Sequence, residues 1–547
     1  MRNKNYSKVL IPLIISVALG IGIYLGNNIG SKSLHNPVYE KVSTILSLIE
    51  TDYVDTVNME EIIEMSLPDL LLSLDPHSSY IKKSDFTAVN NDLEGSFSGV
   101  GVSFQIINDT ITIVEVITGG PAEKVGILAG DRIVSVNDST MVGPDITNED
   151  VFNNLRGKKD SKVKLGIKRS NSKKILKFDV IRGDIPINSI DAHYLLSNNV
   201  GYIKVGKFAR NTYNEFLTAL VELQSKGATK YIIDLRDNSG GFMDQAILMA
   251  NEFLPQDRMI VYTKGRKIDN ETVAVSDGNG LFQNTEIAVL MNEYSASASE
   301  IFAGAIQDND RGLIVGRRSF GKGLVQNQTI LPDSSAIRLT VARYYTPSGR
   351  SIQKDYKRGK NGKYQQDIAD RYVHGEFYNS DSIKLDKSKL FYTIGGREVF
   401  GGGGIMPDIF VPEDTTSVTS YYVNVVNAGL IQKFAFKVAD HYREILKDVT
   451  TSEQLLKLIP RDMTLLNNFV DFAAENGIPA RWYYIRQSQD LLLRQIKAMI
   501  IRDVLGYNEF YKVYFEKDKT INRALESLNT NEYKSIINSK NNGQKGN

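Results

Sequence analysis

Two short stretches contain the residue types needed for acyl transfer. One is the run of small residues Ser295–Ser299, with Ser297 at its centre, and the other carries Lys322 between two glycines. A serine hydroxyl is a weak nucleophile until a base removes its proton, and lysine can be that base when burial disfavours its ammonium form. Phe320 and Leu324 give Lys322 an apolar setting. The pattern predicts Ser297 as nucleophile and Lys322 as its base.

Neighbouring residues suit the same chemistry. Gln326 can hydrogen-bond the lysine amine without adding charge, whereas a carboxylate there would hold the amine protonated. Ser297 lies where a strand gives way to a helix, so the N–H of Ala298 lies near a helix N-terminus and favours developing negative charge. A second oxyanion donor is expected from Gly240 or Gly241, in a turn between another strand and another helix. The sequence does not distinguish between the two glycines.

Each motif taken alone has a simpler interpretation. Serine before a helix, with glutamate in the first turn, is a common N-cap, and an isolated lysine is usually a surface residue. The stretch Gly316–Lys322 also matches the G-x-x-x-x-G-K spacing of a phosphate-binding loop. A nucleotide site is rejected because Gly323 stands where Ser or Thr is needed, and because Leu324–Ile330 is predicted as a strand rather than a helix. The combination of the serine and lysine motifs is what favours catalysis.

Alternating strands and helices must position these residues. Apolar runs at Tyr231–Leu235 and Ile287–Met291 are predicted as buried strands, and helices are predicted after them at Met243–Phe253 and Glu300–Gln307. A strand, a glycine-containing turn and a helix in succession present backbone N–H groups at the edge of a sheet. Residues 184–412 are therefore predicted as an α/β domain.

Composition limits the function classes. At 547 residues the chain is long enough for several domains. A net charge of +1 gives no indication of nucleic acid as a partner. The chain has no cysteine, which excludes disulfides and thiolate catalysis, and none of its five histidines is paired at a metal-binding spacing. We expect no metal and no other cofactor.

The N-terminus is predicted to contact a membrane. Arg2, Lys4 and Lys8 precede an apolar run, Val9–Gly26, which is about long enough to cross a bilayer core. No clear cleavage site follows, so an uncleaved anchor over residues 1–30 is favoured over a cleaved signal peptide. The remainder of the chain would then lie on the extracytoplasmic, periplasmic side of the inner membrane.

Residues 36–90 are predicted as a helical region, because apolar residues recur at intervals of three and four between Val38 and Ile49. The segment Leu74–Tyr80 interrupts this pattern and predicts a turn. His77 in that turn is interpreted as a local hydrogen-bonding residue rather than a catalytic one.

Residues 92–183 change to the period of two that is typical of strands. The most specific parts are Phe97–Val102 and the glycine-rich stretch Gly119–Asn137. They resemble a PDZ domain, in which a peptide adds as a strand and its terminal carboxylate binds the N–H groups of a glycine-containing loop. The resemblance assigns the carboxylate-binding loop to Gly99, Val100, Gly101 and Val102.

The motifs together resemble the carboxy-terminal processing peptidases, which are serine endopeptidases with a PDZ domain inserted before the catalytic core. The similarity runs from about Val38 to Pro412 and includes LDPHSSY, LRDNSGG, SASASEIFAGAIQD, FGKGLVQ, YYTPSGRSIQ and GGGGIMPDIFVP. It implies a crotonase- and ClpP-like α/β core and substrate proteins cleaved near their C-termini. It also implies the same roles for Ser297, Lys322 and Gln326 that their residue types suggest.

Two stretches lie outside these motifs. Residues 353–387 are charged and tyrosine-rich with little periodicity, and are interpreted as an insertion. Residues 413–547 carry repeated apolar helix faces and are predicted as a helical C-terminal extension. The N-terminal helices and this extension are both candidate contact surfaces for a homodimer.

Two other functions fit parts of the sequence. One is a PDZ adaptor with an inactive peptidase-like core, which the presence of nucleophile, base and amide disfavours. The other is a crotonase-like core that binds an acyl thioester or a lipid, which the PDZ pattern and the paired serine and lysine motifs disfavour. The expected function is that of a serine endopeptidase.

Overall fold

The structure, a computed structural model, describes residues 37–169, 172–197, 199–359 and 362–539. These residues divide into two compact units, one that ends at Leu74 and one that begins at Asp75. No helix within the described ranges is long and apolar enough to cross a bilayer. The predicted membrane anchor, residues 1–30, lies outside them.

The first unit contains two helices, as the spacing of its apolar residues predicts. Asn58 starts the second helix, and its side chain accepts hydrogen bonds from the N–H groups of Glu60 and Glu61. None of the residues in the first helix is buried. The helices are α1 (Pro37–Asp52) and α2 (Met59–Leu72).

The second unit opens with a strand, a helix and a β-rich region. Apolar residues alternate along the strands of this region, so that Ile111, Ile133 and Leu165 meet in a fully buried core. The main sheet has the order β3-β4-β5-β7-β8, with β6 on β5, and β2 pairs separately with β9. The elements are β1 (Ser79–Ile81), α3 (Lys83–Glu94), β2 (Ser96–Gly99), β3 (Val102–Ile107), β4 (Thr110–Val116), α4 (Pro121–Lys124), β5 (Arg132–Val136), β6 (Ser139–Thr140), α5 (Asn148–Leu155), β7 (Lys162–Lys168), β8 (Leu176–Ile181) and β9 (Gly183–Pro186).

A six-stranded sheet of order β10-β11-β12-β15-β16-β21 forms the centre of the α/β region. All its strands are parallel except β10, which is antiparallel to β11. The parallel strands are mostly apolar, because helices cover both faces of the sheet. The elements up to β16 are β10 (Ile190–Ser197), β11 (Val200–Val205), α6 (Thr212–Ser225), β12 (Lys230–Asp234), α7 (Met243–Asn251), β13 (Met259–Gly265), β14 (Val273–Val275), β15 (Glu286–Met291), α8 (Ala298–Asp308) and β16 (Leu313–Gly316).

A second sheet, of order β1-β18-β13-β14 with β17 on β18, carries the lysine and glutamine motifs. The predicted insertion at 353–387 contains a helix that its weak periodicity did not predict. Strand β21, which follows the insertion and the hairpin of β19 and β20, pairs with β16 in the central sheet. The elements are β17 (Leu324–Ile330), β18 (Ala336–Tyr345), α9 (Gly362–Val373), β19 (Leu390–Tyr392), β20 (Glu398–Phe400) and β21 (Ile409–Phe410), with short 3-10 turns at Ile268–Asn270, Ser380–Ser382 and Lys387–Lys389.

The C-terminal region is helical, as its apolar faces predict. Its first helices form their own core, and α17 then packs Ile521 and Leu528 on the central sheet, on the face opposite α7 and α8. The helices are α10 (Ser420–Asn427), α11 (Leu430–His441), α12 (Arg443–Leu446), α13 (Ser452–Leu458), α14 (Asp462–Glu475), α15 (Trp482–Leu505), α16 (Tyr507–Tyr514), α17 (Lys519–Asn529) and α18 (Glu532–Ile537).

Candidate active site

The three serines that follow β15 differ in their surroundings. Ser295 is fully buried, and its hydroxyl donates to the carbonyl oxygen of Leu235 at 2.8 Å. Ser299 is also fully buried, and its hydroxyl donates to the carbonyl oxygen of Asn238 at 2.9 Å. Ser297 lies between them and is only half-buried. Of the three, Ser297 is therefore the one at an accessible position.

Ser297 forms a sharp turn between β15 and α8. Its φ of 56° and ψ of −114° lie in a region that residues with a side chain rarely adopt, so the turn is strained. The Ser297 N–H donates to Glu300 Oε2, and the Glu300 N–H donates to the Ser297 carbonyl oxygen, both at 2.9 Å. A Cβ on Gly240 would lie 2.7 Å from the Cβ of Ser297, so only glycine fits against the turn.

Two backbone N–H groups beside Ser297 are available as donors. The Gly240 N–H already donates to Asn238 Oδ1 at 2.9 Å. By contrast, neither the Gly241 N–H nor the Ala298 N–H donates to any residue in the described part of the chain. A Cβ on Gly240 would lie 2.9 Å from the Ala298 nitrogen, so the glycine turn and the start of α8 are adjacent. Of the two glycines, Gly241 is the better candidate for the second oxyanion donor.

Glu300 joins the serine turn to the loop of residues 317–323, which we call the lysine loop. Its Oε2 accepts from the N–H of Ser297 and from the N–H of Lys322, each at 2.9 Å. Its Oε1 accepts from the N–H of Gly321 at 2.7 Å. Two amides that share one oxygen are at most two hydrogen-bond lengths apart. The fold therefore brings the backbones of Ser297 and Lys322 side by side.

Two further side chains hold this arrangement. The Ser319 hydroxyl donates to Glu300 Oε1 at 2.5 Å. The Tyr344 hydroxyl, on β18, lies 3.2 Å from the carbonyl oxygen of Ser297 and 2.8 Å from that of Lys322. Glu300 is fully buried, and burial raises its pKa to about 7 despite the hydrogen bonds that favour the carboxylate. Buried groups therefore connect the two motifs at several points.

The surroundings of Lys322 favour its neutral form. Burial is the largest effect that lowers the pKa of Lys322, and the nearby guanidinium of Arg338 lowers it further. Glu300 and Asp75 act in the opposite direction. The net shift is downward, which is the direction that a lysine needs in order to accept a proton near neutral pH.

Gln326 has a different partner from the one its sequence position suggests. It lies on β17, immediately after a bulge in the pairing with β18. Its Nε2 donates to the hydroxyl of Thr340 at 3.3 Å, and that hydroxyl donates to Asp75 Oδ1 at 3.0 Å. No hydrogen bond joins Gln326 to Lys322 within the described residues. A role for Gln326 beside the lysine remains a prediction.

The turn predicted at Leu74–Tyr80 lies at the same site. Asp75 Oδ1 accepts from the N–H groups of His77 and Ser78, each at 2.8 Å. Burial and the nearby charge of Lys322 lower the pKa of His77 to about 4. The sequence places this turn almost 250 residues before the lysine loop, so only the pairing of β1 with β18 brings the two together.

The predicted carboxylate-binding loop connects β2 to β3. Gly99 ends β2, Val102 begins β3, and Gly101 has a φ of 80°. The carbonyl oxygens of Val100 and Gly101 accept from the N–H groups of Ala122 and Ile117 respectively. The N–H groups of Val100 and Gly101 donate to no residue that the structure describes. In the described sheet β3 pairs with β4 alone, so its other edge is open to a further strand.

Comparison with known proteins identifies the chain. Residues 199–360 match the model of Peptidase family S41, residues 112–169 match a PDZ domain model, and residues 421–506 match a family of unknown function. A carboxy-terminal-processing protease of Bartonella bacilliformis is 37% identical over 374 residues, covering 68% of this chain and 83% of that protein. This chain belongs to peptidase family S41.

Other relatives of this S41 peptidase carry similar names. A carboxy-terminal processing protease of Bacillus subtilis is 32% identical over 356 residues, covering 64% of this chain and 75% of that protein. The solved structure of a photosystem II D1 C-terminal processing protease is 28% identical in sequence. The match covers 57% of this chain and 89% of that protein, with a TM-score of 0.32. The family and PDZ matches, together with the Bartonella and Bacillus relatives, show that the chain is a serine-type, carboxy-terminal processing peptidase with a PDZ domain.

Several residues of the S41 site have no role in the sequence interpretation. Glu300 looks like an ordinary helix-capping residue, although a glutamate three residues after a serine is the signal that could have found it. Tyr344 and Thr340 lie on β18, whose pairing with β17 is not visible in the sequence. Arg338 lies on the same strand. Their contacts with the site depend on strand pairing between residues that are distant in sequence.

Proposed function

We propose that Ser297 is the nucleophile and Lys322 the general base of this peptidase. Lys322 accepts the hydroxyl proton while the Ser297 oxygen bonds to the peptide carbonyl carbon. The protonated lysine then gives that proton to the departing amine as the carbon–nitrogen bond breaks. A water molecule, deprotonated by the same lysine, hydrolyses the acyl-enzyme and restores the serine. The sharing of Glu300 Oε2 by the amides of Ser297 and Lys322 is the observation that carries this proposal.

The oxyanion of the tetrahedral intermediate would be held by the N–H groups of Ala298 and Gly241. Both lack a protein acceptor in the described chain, and Ala298 starts an eleven-residue helix whose dipole favours negative charge there. The strained backbone at Ser297 supports the assignment of Ser297 as the nucleophile, because backbone strain is common at active-site residues.

The PDZ domain would hold the C-terminus of the substrate. The amides of Val100 and Gly101, which have no acceptor among the residues that the structure describes, suit a terminal carboxylate. The edge of β3 that is unpaired in the same part of the chain suits an added strand. Phe104 on β3 and Phe152 on α5, whose ring centroids are 5.3 Å apart, offer apolar surface for the side chains of such a strand. An apolar C-terminal segment is therefore the expected ligand.

We further propose that residues 1–30 anchor the chain in the inner membrane, with the catalytic unit on the periplasmic side. The basic residues before Val9–Gly26 and the length of that apolar run support this location. A homodimer is also proposed. Helix α1 supports a homodimer, because Val42, Ile45 and Leu48 each expose about half of their surface. A contiguous exposed apolar surface of this kind is typical of a protein–protein contact.

The site assignment is tested with the full-length chain in detergent and an unfolded protein substrate. Wild type should cleave it, whereas Ser297→Ala and Lys322→Ala should not. Mass spectrometry after treatment with a serine-reactive fluorophosphonate should find the adduct on Ser297, and Ser299→Ala should keep that adduct. Cleavage that persists in Ser297→Ala, or an adduct on another serine, would refute the assignment. A substrate with an amidated C-terminus should be cleaved more slowly if the PDZ loop binds a carboxylate.

A further inference from the structure

The lysine loop is covered on one side by part of the predicted insertion. The cover segment is defined as residues 353–359 and 362–377, which lie after β18, include α9 and end before the 3-10 turn at Ser380–Ser382. In the sequence, this segment lies outside the serine and lysine motifs. In the structure it contacts the lysine loop along most of that loop's length, and Lys322 lies within the contact.

Backbone groups of the lysine loop bond to three side chains or amides of the cover segment. Arg371 Nη2 donates to the carbonyl oxygen of residue 318 at 2.7 Å, and Arg371 Nη1 donates to that of residue 319 at 3.0 Å. The Lys354 N–H donates to the carbonyl oxygen of Gly321 at 3.0 Å. The Gly323 N–H donates to Gln353 Oε1 at 2.8 Å. Lys322 is thus flanked on both sides by residues that the cover segment holds.

Arg371 is the buried centre of this contact. Only 4% of its surface is exposed, and its guanidinium spans two consecutive carbonyl oxygens. Glu376 lies 3.3 Å from Arg371 and 2.6 Å from Arg318, so one carboxylate pairs with both guanidinium groups. A planar fork that donates two charge-assisted bonds fixes a loop more closely than a single donor can.

Tyr364 closes the same side of the site nearer to Lys322. Its hydroxyl lies 2.7 Å from His77 Nε2, and its ring centroid lies 6.1 Å from that of Phe320. The ammonium of Lys354 lies over both rings, 3.8 Å from the centroid of Phe320 and 4.2 Å from that of Tyr364. These groups occupy space that water would otherwise fill around the lysine loop.

Glu300 holds the opposite side of the loop through the amides of Gly321 and Lys322. The loop is therefore held between two buried groups from distant parts of the chain. We propose that Arg371 is a positioning residue for Lys322, and that the cover segment, with Tyr364 bonded to His77, fixes the placement of the catalytic base and limits its access to water. This proposal rests on the proposed role of Lys322.

The expected consequence is seen in the pH dependence of the rate. Arg338 on β18, Glu300 on α8 and Asp75 on the turn before β1 act on the charge of Lys322, and Lys322 in turn acts on His77 in that turn. Lys354, on the cover segment, acts on His77 and Glu300. Removing Arg371 leaves these charges in place but lets the loop loosen and water enter. Hydration favours the ammonium form, so the acid limb of the profile should move to higher pH.

The test compares Arg371→Ala, Arg371→Lys and the matched control Arg358→Ala in the full-length chain. Arg358 is an exposed arginine of the same cover segment. The rate per active site, counted by fluorophosphonate labelling, should fall about 100-fold in Arg371→Ala with little change in KM, since a misplaced catalytic group costs that order of rate. Arg371→Lys should recover only part of it. The control should behave as wild type.

Hydrogen exchange gives a readout that does not require activity. The amides of Gly321 and Lys322 should lose protection in Arg371→Ala and keep it in Arg358→Ala and in Ser297→Ala. If Arg371→Ala does not fold, Tyr364→Phe replaces it, and its acid limb should move upward because the bond to His77 is lost. A wild-type rate per site, an unmoved acid limb and unchanged protection in the folded variants would overturn the proposal. If wild type itself does not cleave, the proposed function fails, while the exchange experiment still decides whether Arg371 holds the loop.

Discussion

Glu300→Gln is the substitution that most directly probes the link between the two motifs. The carboxylate accepts four hydrogen bonds, two on each oxygen, and the amide can accept on one oxygen only. The amide NH2 should turn toward Ser319, because that hydroxyl can rotate and accept. The N–H of Gly321 then faces the NH2 group without an acceptor. The Ser297 and Lys322 amides keep an oxygen, but a neutral one.

The magnitude follows from these changes. A buried donor left without an acceptor costs about 1–3 kcal/mol, and bonds to a neutral oxygen are roughly half as strong as those to a carboxylate. If misplacement of the lysine loop raises the transition-state free energy by about 2.7 kcal/mol, kcat/KM falls about 100-fold, since ~1.4 kcal/mol is a factor of ten. We expect a folded protein with that loss.

The pH profile separates this explanation from a general loss of structure. Above its own pKa of about 7, the ionised Glu300 raises the pKa of Lys322, so removing that charge lowers the pKa of Lys322. Because the neutral lysine is the active form, the acid limb of kcat/KM should move to lower pH in Glu300→Gln. The assay is kcat/KM for an unfolded substrate from about pH 5 to 9. The exposed Glu271→Gln is the matched control. A wild-type kcat/KM with an unmoved acid limb would refute the reasoning.

Three further changes test other parts of the structure. Arg338→Gln removes a cation that lowers the pKa of Lys322, so the acid limb should move to higher pH, and a limb that stays in place would contradict this electrostatic role. Gly101→Ala places a side chain at a φ of 80°. The free energy of unfolding measured in urea should fall by roughly 1–2 kcal/mol. Binding of a C-terminal peptide, measured by fluorescence anisotropy, should also weaken. Unchanged affinity would count against the predicted loop. Arg350→Met removes the ion-pair partner that lies 2.8 Å from the fully buried Asp308 side chain. The free energy of unfolding should fall by about 3–5 kcal/mol, because a charge is left buried without a partner. A loss of less than about 1 kcal/mol would show that Asp308 finds another partner.

Local patterns predict the elements that are longest and most regular. The strands near Tyr231 and Ile287 and the helix after Ser297 agree with the prediction. The strands are short apolar runs buried on both faces, and the helix is buried along its whole length, so neighbouring residues already indicate them. The helix α9 does not, since its few buried residues, such as Tyr364 and Arg371, are polar or amphipathic. A hydrophobic pattern cannot reveal a helix that packs through such groups.

The sequence by itself determined the family, the two motifs and the prediction that Ser297 and Lys322 act together. Those inferences depend on residue types that lie close together in the sequence, so they can be made without knowing the fold. Tertiary structure alone decided that Glu300 joins the motifs and that the cover segment contacts the lysine loop. It also decided that the Gly240 N–H bonds to Asn238, whereas the Gly241 N–H has no acceptor among the described residues. The physical reason is that each of these depends on hydrogen bonds between residues far apart in sequence, whose geometry exists only once strand pairing and register are set.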